Sequence, residues 1–458
     1  MFEDYSSLLT ENPAQRNYGI AVTDIDGDGA FELFVAGFDA SNLVLKWAGH
    51  ETGFIDVAAP ELIDRNRQAI GVAACDVDGD GREEIYVLNT DTFGGMKRVG
   101  DRLFDYRSGE GWVDLFEMEI NLGEANLIAG RSVGAVDRTG SGRYGFFVAN
   151  YGGPMRLYEL DELGRLVDLA PEVGVALKTG GRGVLPLPLI SQGMDIYVSN
   201  EGGANYLFLN QGDGTFIEAG QQAGLGDMYE NGRGIAAVDA DDDGRLDVVL
   251  GNWEGPHRMF VRVGHDMFRD RAGRDFAAPS RVRTVIAADF DNDGYEEIFF
   301  NNIGQPNRLF ARRDGQWVEV PCGAAREPTG FGTGAAVGDF DGDGRLELVI
   351  SHGESGAQPL SLYRAAAEGH NWLRVLPLTR QGAPARGALV TIRAGGRKQV
   401  RAINAGSGYL CQMEPVAHFG LGTGRAVEEV TVRWPGGAVV SIVGPAINEQ
   451  LVVPYPGQ

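Results

Sequence analysis

Cysteine is scarce. The 458 residues hold three, Cys75, Cys322 and Cys411, an odd count with no CxxC pair. That excludes a disulfide framework and a thiolate zinc site, and leaves three small apolar fillers. No apolar run approaches the roughly 18 residues of a membrane-spanning helix. The opening MFEDYSSLLTENP has neither the basic nor the apolar segment of a secretory leader. Basic residues are outnumbered, 40 Lys and Arg against 64 Asp and Glu, for a net charge of −24. Nucleic acid, whose phosphates require basic patches, is therefore excluded as a partner, and cations are favoured. The six histidines show no ligand spacing. No GxSxG, HExxH or Walker-type loop occurs either, so no established catalytic motif is present.

Glycine is abundant instead, at 68 residues, about twice the usual ~7%. With plentiful aromatic and β-branched residues, that composition calls for many short strands and tight turns. A unit of apolar strand, acidic turn and apolar strand recurs about every 50–60 residues, close to the period of propeller blades. It reads GIAVTDIDGDGAFELFVAG from Gly19, GVAACDVDGDGREEIYVLN from Gly71 and GIAAVDADDDGRLDVVLGN from Gly234. Two further copies are TVIAADFDNDGYEEIFFNN from Thr284 and GAAVGDFDGDGRLELVISH from Gly334. Two eroded ones start at Ser132 and Gly183.

A third strand follows each pair (NLVLKW, DRLFDY, MRLYEL, NYLFLN, HRMFVR, NRLFAR, LSLYRA), and six units end on a bulky-x-acid strand such as FIDVAAP or WVEVPCG. Four strands in each of seven units predict an all-β, seven-bladed propeller. The seventh unit lacks its last strand, and the opening MFEDYSSLL has that strand's character. The spacing thus predicts that the N-terminal segment closes the ring and leaves little room for a preceding domain. From Gly369 onward, alternating segments such as NWLRVLPL, GALVTIRAGG and EEVTVRWPGG predict a small antiparallel sandwich or barrel. The expected domains are residues 1–368 and 369–458.

Each intact turn carries acids at positions 1, 3, 5 and 9. They are Asp24, Asp26, Asp28 and Glu32; Asp76, Asp78, Asp80 and Glu84; and Asp239, Asp241, Asp243 and Asp247. The last two sets are Asp289, Asp291, Asp293 and Glu297, and Asp339, Asp341, Asp343 and Glu347. Alternate residues of a tight turn aim their oxygens at one point. Position 7 (Ala30, Arg82, Arg245, Tyr295, Arg345) adds a backbone carbonyl, and the Gly at position 6 permits the reversal. An all-oxygen set of this kind suits Ca²⁺, which accepts six to eight ligands, better than the smaller octahedral Mg²⁺. About five Ca²⁺ ions are expected, bringing the charge to about −14. The eroded turns from Asp137 and Pro188 have lost most of their acids and are expected to hold none.

These turns resemble the integrin-α type FG-GAP/VCBS repeat, with its D-x-D-x-D-G-x-x-[DE] loop between the first two strands of a blade. In the tail, AGSGYLCQMEPVAHFGLG and VRWPGG resemble the ASPIC/UnbV domain that follows such a propeller in the cartilage acidic protein family. Cys411 stands where that motif usually has serine, and no Cys-rich EGF-like module occurs within these residues, as in a bacterial-type member. The resemblance implies a calcium-binding protein of adhesive or binding character, often extracellular, with no established reaction. Tyr409, Gln412 and His418 are the densest part of the tail motif and read as structural.

Just before the first strand stand Arg131, Arg182, Arg233 and Arg283, in four consecutive units. First strands line a propeller channel, so these guanidiniums are expected to converge at the mouth opposite the calcium loops. Glu201, Glu254 and Glu354 return to that face. The arginines either pair with these acids or receive an anionic group of a partner. The expected function is non-enzymatic binding, by a monomer, of a protein or glycan. The alternative is a lyase or hydrolase acting on an anionic polysaccharide at the mouth. Calcium loops slightly favour an extracytoplasmic home, while free cysteines and the absent leader weigh the other way.

Overall fold

The computed structural model describes residues 1–366, 369–424 and 426–457. In the first unit, strands Asn17–Thr23, Glu32–Gly37, Leu43–Trp47 and Phe54–Asp56 pair antiparallel in chain order. The apolar strands are short because an acidic Gly turn interrupts each pair, and their inner faces are fully buried (Ile20, Val22, Leu33, Val35). Among the described residues seven units of four strands succeed one another, two of them merged into one sheet, and each innermost strand contacts the next. The seventh innermost strand, Gly332–Gly338, contacts the first, which closes the β-propeller.

The N-terminal segment does complete the seventh unit. Phe2–Asp4 pairs antiparallel with Ser361–Ala365, Phe2 opposite Ala365. Phe2 lies edge-on to Phe290 and Phe299, with ring centroids 4.9 and 6.0 Å away. Burying such a side chain is worth roughly 1.5–3 kcal/mol.

The eroded third and fourth units depart from the expected separation. Strand Gly145–Pro154 runs past its own sheet and pairs Tyr151 with Gly180 of Lys178–Leu187, so the two units form one eight-stranded sheet.

The tail is a sandwich of two sheets, one of Ala417–Gly422, Asn371–Pro377 and Gln450–Val453, the other of Arg397–Ala402, Leu389–Ala394, Glu429–Arg433 and Val439–Val443. The sandwich is not purely antiparallel, as was expected: Asn371–Pro377 pairs parallel with Gln450–Val453. Leu373, Val390, Phe419, Val432 and Trp434 fill its core. Of the expected boundary at 368/369, Glu368 lies outside the described residues. No helix among the described residues is long and apolar enough to cross a membrane.

Candidate functional site

The five intact turns fold alike. In the first, Asp24 accepts hydrogen bonds from the Gly27 and Gly29 amides, and Glu32 accepts one from Ile25. Gly27 has φ +80, a conformation glycine adopts without strain. The acids at positions 1, 3 and 9 converge in every intact turn: Asp24, Asp26 and Glu32; Asp76, Asp78 and Glu84; Asp239, Asp241 and Asp247; Asp289, Asp291 and Glu297; Asp339, Asp341 and Glu347. Within each group the carboxylate oxygens lie within 4.8 Å of one another.

Among the described residues no such group forms at the eroded turns, where Asp137 accepts hydrogen bonds from the Ser141 and Gly142 amides. The position-5 aspartates stand beside these groups. Asp28, Asp80, Asp243, Asp293 and Asp343 each accept a hydrogen bond from the amide of residue 7, at 2.8–2.9 Å.

The donor set fits a hard cation. Asp289 Oδ1, Glu297 Oε1 and Asp339 Oδ1 are buried without a hydrogen-bond partner, and such atoms are costly unless something positive meets them. Burial, then neighbouring carboxylates, push Glu32 up to about 7. Asp76, Asp247 and Asp289 rise likewise to about 7, burial being the main cause.

The loops differ at one third-strand position that sequence reasoning missed, and the sixth also carries Arg313 on Asp293 at 3.1 Å and Asp291 at 3.6 Å. The residue across from the position-9 acid on the third strand is Lys46 in the first unit and Arg364 in the seventh. Lys46 Nζ reaches Asp26, Asp28 at 2.6 Å and Glu32 at 3.2 Å. Arg364 reaches Asp341, Asp343 at 3.3 Å and Glu347 at 2.6 Å. The same position holds Asp105 in the second unit, Val261 in the fifth and Ala311 in the sixth. The signal was present in the third-strand sequences, but only strand register shows which residue faces the loop.

At the other end of the channel, the innermost strands carry a register shift at one matching place. The shifts fall at Arg131, Arg182, Arg233 and Arg283 in units three to six. In units one, two and seven they fall at Tyr18, Ile70 and Thr333. A bulge re-aims its extra side chain, and all seven line a mouth cavity of about 720 Å³. The arginines therefore lie within the strands, at bulges, and converge as expected. Glu201 bridges Arg182 and, at 3.2 Å, Arg233. Glu354 pairs with Arg283 at 2.9 Å. Glu254 turns away to Arg281. Among the described residues Arg131 meets no carboxylate; it donates to the Gly130 and Phe93 carbonyls and lies under Phe93 and Tyr151. Trp253 stacks on Arg283, 4.0 Å from the guanidinium carbon.

The floor of this cavity comes from the tail. Residues 405–412 thread the channel from the calcium-loop side and bond to four innermost strands. Ala135 N donates to Ala405 O, and Ile235 and Gly408 exchange both backbone bonds. Val72 N donates to Leu410 O, and Val22 N to Gln412 O. The Gln412 side chain caps Ala74 on both its amide and its carbonyl. The path is narrow: a Cβ on Gly19 would stand 2.4 Å from Leu410 O, and Gly408 needs φ +63. Tyr409 ends the insertion, accepting a hydrogen bond from Arg182 at 3.3 Å. Burial opposes ionisation of its phenol, but Arg182, Arg233, Arg131 and Arg283 outweigh it and bring the pKa down to about 8. His418 stays at the domain junction, 2.6 Å from Asn292 Oδ1, and burial holds it well below the usual histidine range.

Fold and loops define an FG-GAP type propeller whose channel is stopped by a trailing β-domain. The family described as FG-GAP-like repeat matches residues 24–87, 193–250, 241–300 and 289–350, and the one described as ASPIC and UnbV matches 378–458. The chain is 49% identical over 496 residues to cartilage acidic protein 1 of Xenopus tropicalis, covering 99% of this chain and 75% of that one. The Homo sapiens protein is also 49% identical, over 99% of this chain and 74% of its own. The chain belongs to the cartilage acidic protein family. In fold it is similar to the BP39L lectin of Burkholderia pseudomallei, with a TM-score of 0.51 at 13% identity, over 77% of this chain and 97% of the lectin.

Proposed function

We propose that this is a calcium-bound, non-enzymatic binding protein of the adhesion type, which presents the arginine mouth to a protein or glycan partner. The observation that carries the reading is the division of the two faces. The tail domain covers the loop face, with Arg374 on Asp339 at 2.9 Å and the Gly420 amide on Asp289. The opposite mouth is left open and lined with arginine and aromatic side chains.

The converging acids at positions 1, 3 and 9 would hold each ion, joined by the position-5 aspartates and the carbonyls of Ala30, Arg82, Arg245, Tyr295 and Arg345. The ion supplies the positive charge that the buried carboxylates lack, which locks the turn joining the first two strands. Arg131, Arg182, Arg233 and Arg283 would contact the partner.

The test is capture of binding partners by immobilised protein in millimolar calcium, against EDTA and against Arg131→Glu. We expect capture to fall in both. Undiminished capture by Arg131→Glu would overturn the reading of the mouth.

Tyr409 favours a second reading, a lyase acting on an anionic polysaccharide. A phenol that ionises near neutrality is a competent base, and the arginines around it would bind the acid groups of such a chain. Incubation with a polyuronate should then generate the ultraviolet absorbance of an unsaturated uronate, and its absence sinks this alternative.

A further inference from the structure

The mouth carries more positive charge than its own acids answer. Four guanidiniums line it, each less than a tenth exposed. Glu201 is shared by Arg182 and Arg233, and Glu354 serves Arg283, so four positive charges face two carboxylates, an excess of two. The other acids at the rim are spoken for: Asp91 pairs with Arg98 at 2.9 Å and Asp39 with Arg16 at 2.6 Å. The Nε atoms of Arg182 and Arg233 are buried donors without acceptors. A buried charge without a counter-charge is costly, and a site that keeps one is built to be completed by something negative. The cavity of about 720 Å³ is in the range of pockets that bury whole small ligands, and Trp253 gives it a flat apolar wall beside Arg283.

We propose that the mouth cavity is a receptor for an organic dianion, a phosphate monoester or two neighbouring carboxylates, carried on a group that packs against Trp253. The inference deepens the reading of the mouth as the partner face by naming the chemistry recognised there.

Its charge balance also has a switch. Tyr409 faces Arg131, Arg182, Arg233 and Arg283, with Tyr18 and Glu354 on the neighbouring strands. Burial pushes the Tyr18 phenol up to about 12, so it stays neutral where Tyr409 titrates. Burial likewise lowers Arg131, Arg182 and Arg233, the last to about 9, as expected of under-compensated cations. Ionised Tyr409 supplies one of the two missing negative charges, so a dianion binds best below about pH 8.

The experiment is calorimetric titration of the calcium-loaded full chain with phthalate, phenyl phosphate and benzoate at constant ionic strength. One or both dianions should bind one to one, at least about tenfold more tightly than benzoate, and which of them binds identifies the acid group. Arg131→Gln, which orphans no carboxylate, should abolish that preference and keep the wild-type melting temperature. Raising the pH from 7 to 9 should weaken phthalate binding more in wild type than in Tyr409→Phe. If Arg131→Gln melts early, the contrast in pH profile between wild type and Tyr409→Phe decides the matter. No heat with either dianion, or a dianion affinity indifferent to both substitutions, overturns the proposal. Dianion binding without any effect of Arg131→Glu on partner capture would uphold it and overturn only the partner reading. Loss of capture without dianion binding would do the reverse.

Discussion

Arg386 of the tail domain donates to both carboxylate oxygens of Glu83 in the second propeller unit, at 2.5 and 2.9 Å. Both side chains are buried, and Arg386 also bonds the carbonyls of Asn404 and Val22. One guanidinium thus joins the sandwich, the channel insertion and two propeller units. Arg386→Met should cost about 3–5 kcal/mol, because it strands Glu83 as an uncompensated buried charge. The double variant Arg386→Met/Glu83→Gln should recover most of the loss. Urea unfolding measures both, and a single variant as stable as wild type would show that the pair does not tie the domains.

Calcium removal should lower stability markedly. Each ion bound only by the native state contributes about 2.7 kcal/mol at a hundredfold excess over its Kd. Melting in EDTA against millimolar calcium is the measurement, and an unchanged midpoint would exclude calcium as a structural ligand.

The metal-free protein should respond to pH in a defined direction. Its buried loop acids Glu32, Asp76, Asp247 and Asp289 ionise near 7, against ordinary values of 4.5 for Glu and 3.8 for Asp. The folded state therefore holds protons that the unfolded chain has released. That contribution is complete below about pH 4 and is lost as pH rises through about 7. Stability in EDTA should fall between those limits, whereas saturating calcium should remove the slope. A metal-free protein that gains stability from pH 5 to 8 would contradict the loop geometry.

The five loops should not bind equally. Lys46 and Arg364 stand among the acids of the first and seventh loops, while Asp105 adds a carboxylate beside Asp78 and Glu84 in the second. A calcium titration should resolve a tighter second site and weaker first and seventh sites. Lys46→Ala should tighten one weak site by about tenfold, since it removes a positive charge within contact distance of the ion. Five equivalent sites in wild type would show that both cations swing clear.

The ring closure predicts a further outcome. Deleting residues 1–9 removes the Phe2–Asp4 strand and bares Ser361–Ala365 as an open edge, which templates association with other chains. Light scattering should show aggregation on warming; a deletion variant that stays monomeric at wild-type stability would mean that the clasp contributes little.

Much of this protein was legible in its sequence because the interactions that set it are local. A D-x-D-x-D-G turn gathers its carboxylates within nine residues, so spacing alone placed the groups around Asp24, Asp76, Asp239, Asp289 and Asp339. Strand alternation and the repeat period gave the units, and an unfinished seventh unit pointed to Phe2–Asp4. Only the tertiary structure decided what fills the channel. Tyr409 meets Arg182 across 227 positions of chain, and no periodicity connects residues so far apart. The same holds for Lys46 and Arg364, whose positions opposite Glu32 and Glu347 follow from strand register. The charge of the mouth depends likewise on which acids turn inward: Glu201 and Glu354 do, and Glu254 does not. Short-range geometry is written in the spacing of residues along the chain, whereas long-range charge balance exists only once the ring has closed and the tail has entered it.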